Sequence, residues 1–145
     1  MQVDPRGQRV AAGITALVLV AVLVTGSGVL LAAQAVVFAV GALVGLRYSP
    51  YGILFQALIR PRIGPPGELE AAAPPRFAQG VGLAFAVAGV TGYALGADWL
   101  GIGATAFALG AAFLNATFGF CLGCEMFLLI RRVIPINRSD REVPV

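Results

Sequence analysis

The sequence predicts an all-α integral membrane protein: four transmembrane helices as two pseudo-repeated hairpins, each followed by a short cytoplasmic-side interfacial helix. Three observations carry that reading. The 145 residues are 59% hydrophobic and 12% charged, with a mean hydropathy of +0.88, whereas soluble domains are about half apolar and about a quarter charged. Apolar stretches recur four times along the chain. All ten basic residues are arginine, and none falls in the two short turns that join the stretches in pairs.

The stretches run from Val10 to Val24, Val29 to Leu46, Phe77 to Leu95 and Trp99 to Ile130. The first is short against the roughly 20 residues a spanning helix needs. Its arginine-bearing start imitates a signal peptide, and Ala33-Gln34-Ala35 resembles a cleavage site. The apolar pattern resumes at once, however, and belongs to a repeat, so the stretch is read as a span. Thr25 to Gly28 and Gly96 to Trp99 are turn-like, with Asp98 and Trp99 marking the outer boundary.

Arg6 and Arg9 precede the first span. Arg47, Arg60, Arg62 and Arg76 lie in the central connection, and Arg131, Arg132, Arg138 and Arg141 follow the last span. The positive-inside bias then puts both termini and the central connection in the cytoplasm. Arg60 to Arg76 is rich in Pro, Gly and Ala, a linker composition. Residues 1–145 therefore read as one membrane domain, with a first hairpin repeat over 9–61, a cytoplasmic linker over 62–75 and a second repeat over 76–135.

The halves resemble each other. Arg9, Ala11 and Gly13 match Arg76, Ala78 and Gly80, and "FAVGA" from Phe38 matches "FALGA" from Phe107. "SPYGILFQALIRP" from Ser49 aligns with "FCLGCEMFLLIRR" from Phe120, pairing Pro50 with Cys121 and Gly52 with Gly123. Both halves start inside, which makes the repeat parallel about an axis normal to the membrane. It predicts short helices over Tyr51 to Arg60 and Cys121 to Arg132. As one helix, Trp99 to Ile130 would be about 48 Å long against a hydrocarbon core of about 30 Å. A break is expected near Gly119. Ile53, Leu54, Ala57 and Leu58 form an apolar stripe suited to the interface.

Chemistry concentrates in "FCLGCE", which holds both cysteines. Histidine is absent, which excludes imidazole bases and imidazole ligands. If Cys121 begins a helix, unpaired amides and the positive dipole end favour its thiolate, and Cys124 lies one turn along as a resolving thiol. If the helix is unbroken, Gly119 and Gly123 form a packing face opposite the thiols, and Cys121 is not acidified. Glu125 is a candidate proton acceptor whose charge raises the pKa of Cys124. The competing readings are packing only and half of a metal site needing a second subunit. A structural disulfide is disfavoured on the reducing side of the membrane. Asn115 reads as an interhelical hydrogen-bonding residue, and Thr91 and Thr105 as bonded to their own helix carbonyls. Gly41 with Gly45, and Ala88 with Gly92 and Gly96, read as helix packing within the bundle or between subunits of a homo-oligomer.

"FGFCLGCEMFLLIRR", with the "DPR" start and "SPYGILFQALIRP", resembles the bacterial integral membrane family called domain of unknown function 4395, over about Val3 to Arg132. The resemblance implies small inner-membrane proteins associated with thioredoxin-like or rhodanese-type sulfurtransferase partners, with Cys121 and Cys124 as the site. The leading expectation is a membrane thiol-disulfide or sulfur-relay protein. Its alternatives are a noncatalytic scaffold recruiting such a partner and a small sulfur-oxyanion transporter. No cofactor and no nucleic-acid partner is expected; the lipid bilayer is.

Overall fold

Asp4 starts the first helix. In the computed structural model its carboxylate accepts from the Arg6 backbone N–H at 3.0 Å and Pro5 fills the first helical position, where a missing N–H costs nothing. The structure describes residues 2–64, 67, 70–71 and 73–134. Arg138, Arg141 and part of the expected linker lie outside those residues. Helix α1 (Pro5–Thr25) ends at Gly26, whose φ of 67° suits glycine. Ser27 then caps α2 (Gly28–Ala39), its hydroxyl accepting from the Leu30 N–H at 3.1 Å. A π turn extends α2 over Val40–Val44, and Gly45 stops it at φ 143°.

A 3₁₀ turn (Leu46–Tyr48) leads to α3 (Pro50–Leu54), capped by Ser49. Pro61 offers no N–H to the Ala57 carbonyl, and the preceding turn, Phe55–Ile59, widens into a π turn before α4 (Arg60–Ile63). Tyr51 to Arg60 is thus helical, as the repeat predicts. Strands β1 (Gln2–Val3) and β2 (Glu70–Ala71) form a two-residue antiparallel bridge. Helices α5 (Ala73–Ala94) and α6 (Asp98–Phe118) form the second long pair, joined through Gly96 at φ 77°. The last apolar stretch is not one helix. Gly119, at φ 68°, ends α6, and α7 (Leu122–Val133) follows as a separate amphipathic helix.

Three helices, α1, α5 and α6, are long and apolar enough to cross a membrane, and the helix from Gly28 to Val44 is shorter. The burial pattern is that of a chain solvated by lipid. Small or hydroxylated residues face inward, such as Ala12 and Thr15 on α1 and Gly101, Ala104, Thr105 and Ala108 on α6. Leu17, Val24, Val29, Val36 and Phe107 face outward, each more than 60% exposed. Helices associate in lipid through small residues that let backbones approach, because apolar bulk gains nothing by leaving lipid tails. Leu19, Val22, Leu31, Phe38, Ala86 and Ala108 form the core cluster.

Helix α1 packs chiefly on α6, and α2 on α5, so each arm's main partner outside its own pair lies in the other half; α5 and α6 also pack closely, whereas α1 and α2 touch little. Two arginines fasten this exchange. Arg9 donates to the Ala116 and Thr117 carbonyls at 3.4 and 3.1 Å. Arg76 donates to the Ala42 and Leu43 carbonyls, its closest contact 2.9 Å. Each arginine therefore reaches the carbonyls two and three residues before a helix-ending glycine, Gly119 or Gly45, where helices leave carbonyls unpaired.

Two of the expected packing glycines are terminators instead. Gly45 and Gly96 both have positive φ, and no side chain of an L-residue adopts those angles without strain. Gly41 and Gly92 do pack closely, against Gln79 and against Gly101 with Leu100. The Ala33-Gln34-Ala35 triplet lies in the middle of α2.

Candidate functional site

Cys121 sits in the connection between α6 and α7. With Gly119 turning the chain, Cys121 takes an extended conformation, φ −92° and ψ 105°, and becomes the N-cap of α7. Its Sγ accepts from the Cys124 backbone N–H at 3.1 Å, the place a serine or threonine oxygen normally fills. The Cys121 carbonyl accepts from the Glu125 N–H at 3.0 Å. The sequence register pairs Cys121 with Pro50, which is the first helical residue of α3; by cap geometry its counterpart is Ser49, one residue earlier.

The two sulfurs are joined, with Cα atoms 5.2 Å apart. A disulfide was the disfavoured state in a reducing compartment. The cap brings the sulfurs together: it curls the Cys121 side chain back over the first turn, where Cys124 lies, within the usual Cα spacing of about 4.4–6.8 Å. Both cysteines are half-buried. The unbroken-helix alternative, with Gly119 and Gly123 on one packing face, does not hold. Gly119 is a turn residue, and Gly123 alone packs, so tightly that a Cβ there would meet Ala78 Cβ at 2.5 Å.

Glu125 lies exposed in the first turn of α7 and does not line the cavity beside Cys121. Among the described residues no three of His, Cys, Asp and Glu come together as a metal site. Thr91 and Thr105 donate to the Val87 and Gly101 carbonyls at 2.8 and 2.7 Å, as their sequence context suggests.

That cavity is the feature the sequence does not announce. It encloses about 460 Å³ between α1, α2, α5 and α6, with α3 and α7 at one end, and Cys121 is on its wall. Asn115 also lines it, along with Gln8, Gln56 and Gln79. Tyr51 reaches from α3 to donate to Gln34 Oε1 at 2.6 Å, and burial pushes its pKa above the ordinary tyrosine value. Gln34 is 1% exposed. A single glutamine in an apolar run was the available signal, masked by its likeness to a cleavage site.

The cavity end also carries the charge. Arg6 bonds to Asp4 at 2.9 Å and to the Ile63 and Gly64 carbonyls, while Arg47 and Arg60 line the cavity. The Arg6 hydrogen bond holds the Asp4 carboxyl below its usual pKa. Trp99, 76% exposed, lies beyond the Gly96 turn at the opposite end.

A family model described as Domain of unknown function (DUF4395) matches residues 3–132. No curated protein and no solved structure matches the chain.

Proposed function

The chain belongs to the DUF4395 family, whose description carries no activity, and on the chemistry of its site we propose that it is a membrane thiol-disulfide exchange protein working through Cys121 and Cys124. The carrying observation is the position of Cys121: helix N-cap, disulfide partner and cavity wall at once. A partner thiolate attacks Cys121 Sγ, the Cys121–Cys124 bond breaks, and Cys124 leaves as thiolate. The partner's second thiolate then attacks its own mixed-disulfide sulfur and expels Cys121. The partner ends as a disulfide and this chain as a dithiol. The Cys121 thiolate so released keeps the Cys124 N–H and the positive end of α7, which lowers its basicity and makes it a good leaving group. A thioredoxin-like protein, which brings two thiols, fits the partner's role.

The membrane setting belongs to the same proposal. The helix from Gly28 to Val44 counts as the fourth span, its 17 residues covering about 25 Å at about 1.5 Å each. The arginine-rich end faces the cytoplasm, with both termini there. The reciprocal contacts of Arg9 and Arg76, and the recurrence of long pair followed by capped short helix, support a duplicated hairpin.

The test is alkylation of the reduced protein in membranes against pH, using a membrane-impermeant reagent from each side on Cys121→Ser and Cys124→Ser. Cys121, read in Cys124→Ser, should label from the cytoplasmic side with a pKa below the free value of about 8.5. Slow, equal labelling of both thiols at or above that value would sink the exchange reading and leave the noncatalytic scaffold in its place.

A further inference from the structure

Thiol exchange accounts for Cys121 but not for the room in front of it. Much of the cavity's wall is apolar and aromatic: Phe38 is buried in it, Phe85 and the outward-facing Phe107 stand at its lipid side, and Ala108 and Ala111 leave space. Phe85 and Phe107 stack with centroids 6.2 Å apart and planes 29° apart. Near Cys121 the wall turns polar. Among the described residues Gln8 Nε2 on that wall is buried with no hydrogen-bond partner, as are Gln34 Nε2, behind Tyr51 and off the wall, and the Tyr93 hydroxyl elsewhere in the bundle.

A buried amide N–H without a partner costs about 1–3 kcal/mol. Of these groups Gln8 alone is on the cavity wall, and its free N–H is a donor, so a bound molecule would supply an acceptor there. The rest of it must be apolar and is best flat, to lie among phenylalanine rings. The volume, about 460 Å³, falls in the range of small-molecule sites, about 300–1,000 Å³. The lipid-facing exterior makes a bilayer-dissolved molecule the available supply. One chemical class combines carbonyl acceptors, a flat ring, solubility in lipid and two-electron chemistry matched to a dithiol. We propose that the cavity binds the head ring of a lipid quinone, the electron acceptor for Cys121 and Cys124.

This rests on the exchange reading for its electron source and extends it by naming the sink. The dithiol loses two electrons and two protons as the sulfur–sulfur bond forms. The quinone takes both electrons, and its two carbonyl oxygens become hydroxyls. Gln8 donates to one carbonyl oxygen, which holds the ring near Cys121 and favours its reduction.

The experiment uses the full chain in lipid nanodiscs and a short-chain benzoquinone, with binding measured by equilibrium dialysis against empty discs. Binding should be saturable at one per chain and survive in the double variant Cys121→Ser/Cys124→Ser, since the site does not need the thiols. Gln8→Leu should weaken it at least tenfold, and Ala111→Phe, which fills the space, should abolish it in protein whose helical signal and melting are retained. No saturable binding beyond empty discs, or equal binding in both cavity variants, overturns the quinone site. Anaerobic mixing of the reduced protein with one equivalent of quinone then separates the two readings. One quinol and one disulfide per chain support both. Saturable binding without oxidation keeps the site but overturns the quinone as electron acceptor and leaves the exchange reading to the labelling test, whereas exchange with soluble dithiols in a chain that binds no quinone keeps the exchange reading and overturns the quinone site.

Discussion

Two corners of the molecule, Ser49 to Gly52 and Cys121 to Cys124, begin the short helices α3 and α7 with the same device and different atoms. In the first, Ser49 Oγ accepts from the Gly52 N–H at 3.1 Å; in the second, Cys121 Sγ accepts from the Cys124 N–H at 3.1 Å. The residues that follow the cap are exchanged in size. The first corner has Tyr51 and then Gly52; the second has Gly123 and then Cys124. Gly52 lies against the Leu46 carbonyl, so a side chain has no room there, and Tyr51 instead reaches down to Gln34. At the second corner Gly123 presses on Ala78, and the next position is free to carry a sulfur beside the cap. A cap made by a serine gives way to one that closes a disulfide when steric freedom moves along by one residue.

The largest effect should come from making the first corner imitate the second. Gly52→Ala drives a Cβ into the Leu46 backbone, which cannot swing away as a side chain tip would, and should cost about 3 kcal/mol or more. Gly103→Ala on α6, where nothing lies within 4 Å, should be neutral or gain up to about 1 kcal/mol. Thermal melts in detergent check both, and equal melting of the two variants would break the comparison.

Next comes Tyr51→Phe, which leaves the carbonyl of buried Gln34 unpaired as well as its amide and should cost about 1–3 kcal/mol. Substituting Gln34→Leu as well should recover part of that loss, because both ends of the unmet hydrogen bond are then gone. No recovery would mean that Tyr51 acts through packing alone.

Smaller still is the cap term itself. Cys121→Ser keeps an N-cap acceptor and Cys121→Ala removes it, although both abolish the disulfide. The pair should differ by about 1 kcal/mol, as should Ser49→Ala from the parent. A matching difference at the two corners sharpens the equivalence that sequence register misses by one residue.

The smallest effect is pH-dependent and concerns Asp4, the cap of α1. Its folded pKa lies below its unfolded value, so its contribution is present above the unfolded pKa, about 3.9, and is lost as pH falls through the folded one. Parent and Asp4→Asn proteins should therefore differ in melting temperature at neutral pH and converge in acid. A constant gap down to the lowest pH would assign the effect to geometry instead of charge.

How much of this was legible in the sequence follows from what a membrane hides. The break at Gly119 could be read because length is absolute: 32 apolar residues exceed the bilayer as one helix. The cap at Cys121 could be read from Pro50, with a one-residue error, because the two connections differ in length. Which helix neighbours which could not. In water an apolar stripe marks the buried face, but lipid makes both faces of α1 apolar, and only Ala12 and Thr15 against Leu17 distinguish them. Gly45 and Gly96 sit at small-residue spacing, and spacing does not reveal φ. The Gln34–Tyr51 bond joins residues 17 apart through the bundle interior, a contact no local pattern encodes.

The crossed arginines have a consequence for how the chain is made. Arg9 must find carbonyls 107 and 108 residues further on, so while a ribosome is still extending the chain, α1 enters the bilayer with its chief partner unsynthesised. The first hairpin must wait, loosely held, until α5 meets α2 and α6 meets α1. Closure of the cavity and creation of the Cys121 corner are therefore the last steps of assembly, and a chain truncated before α6 has neither.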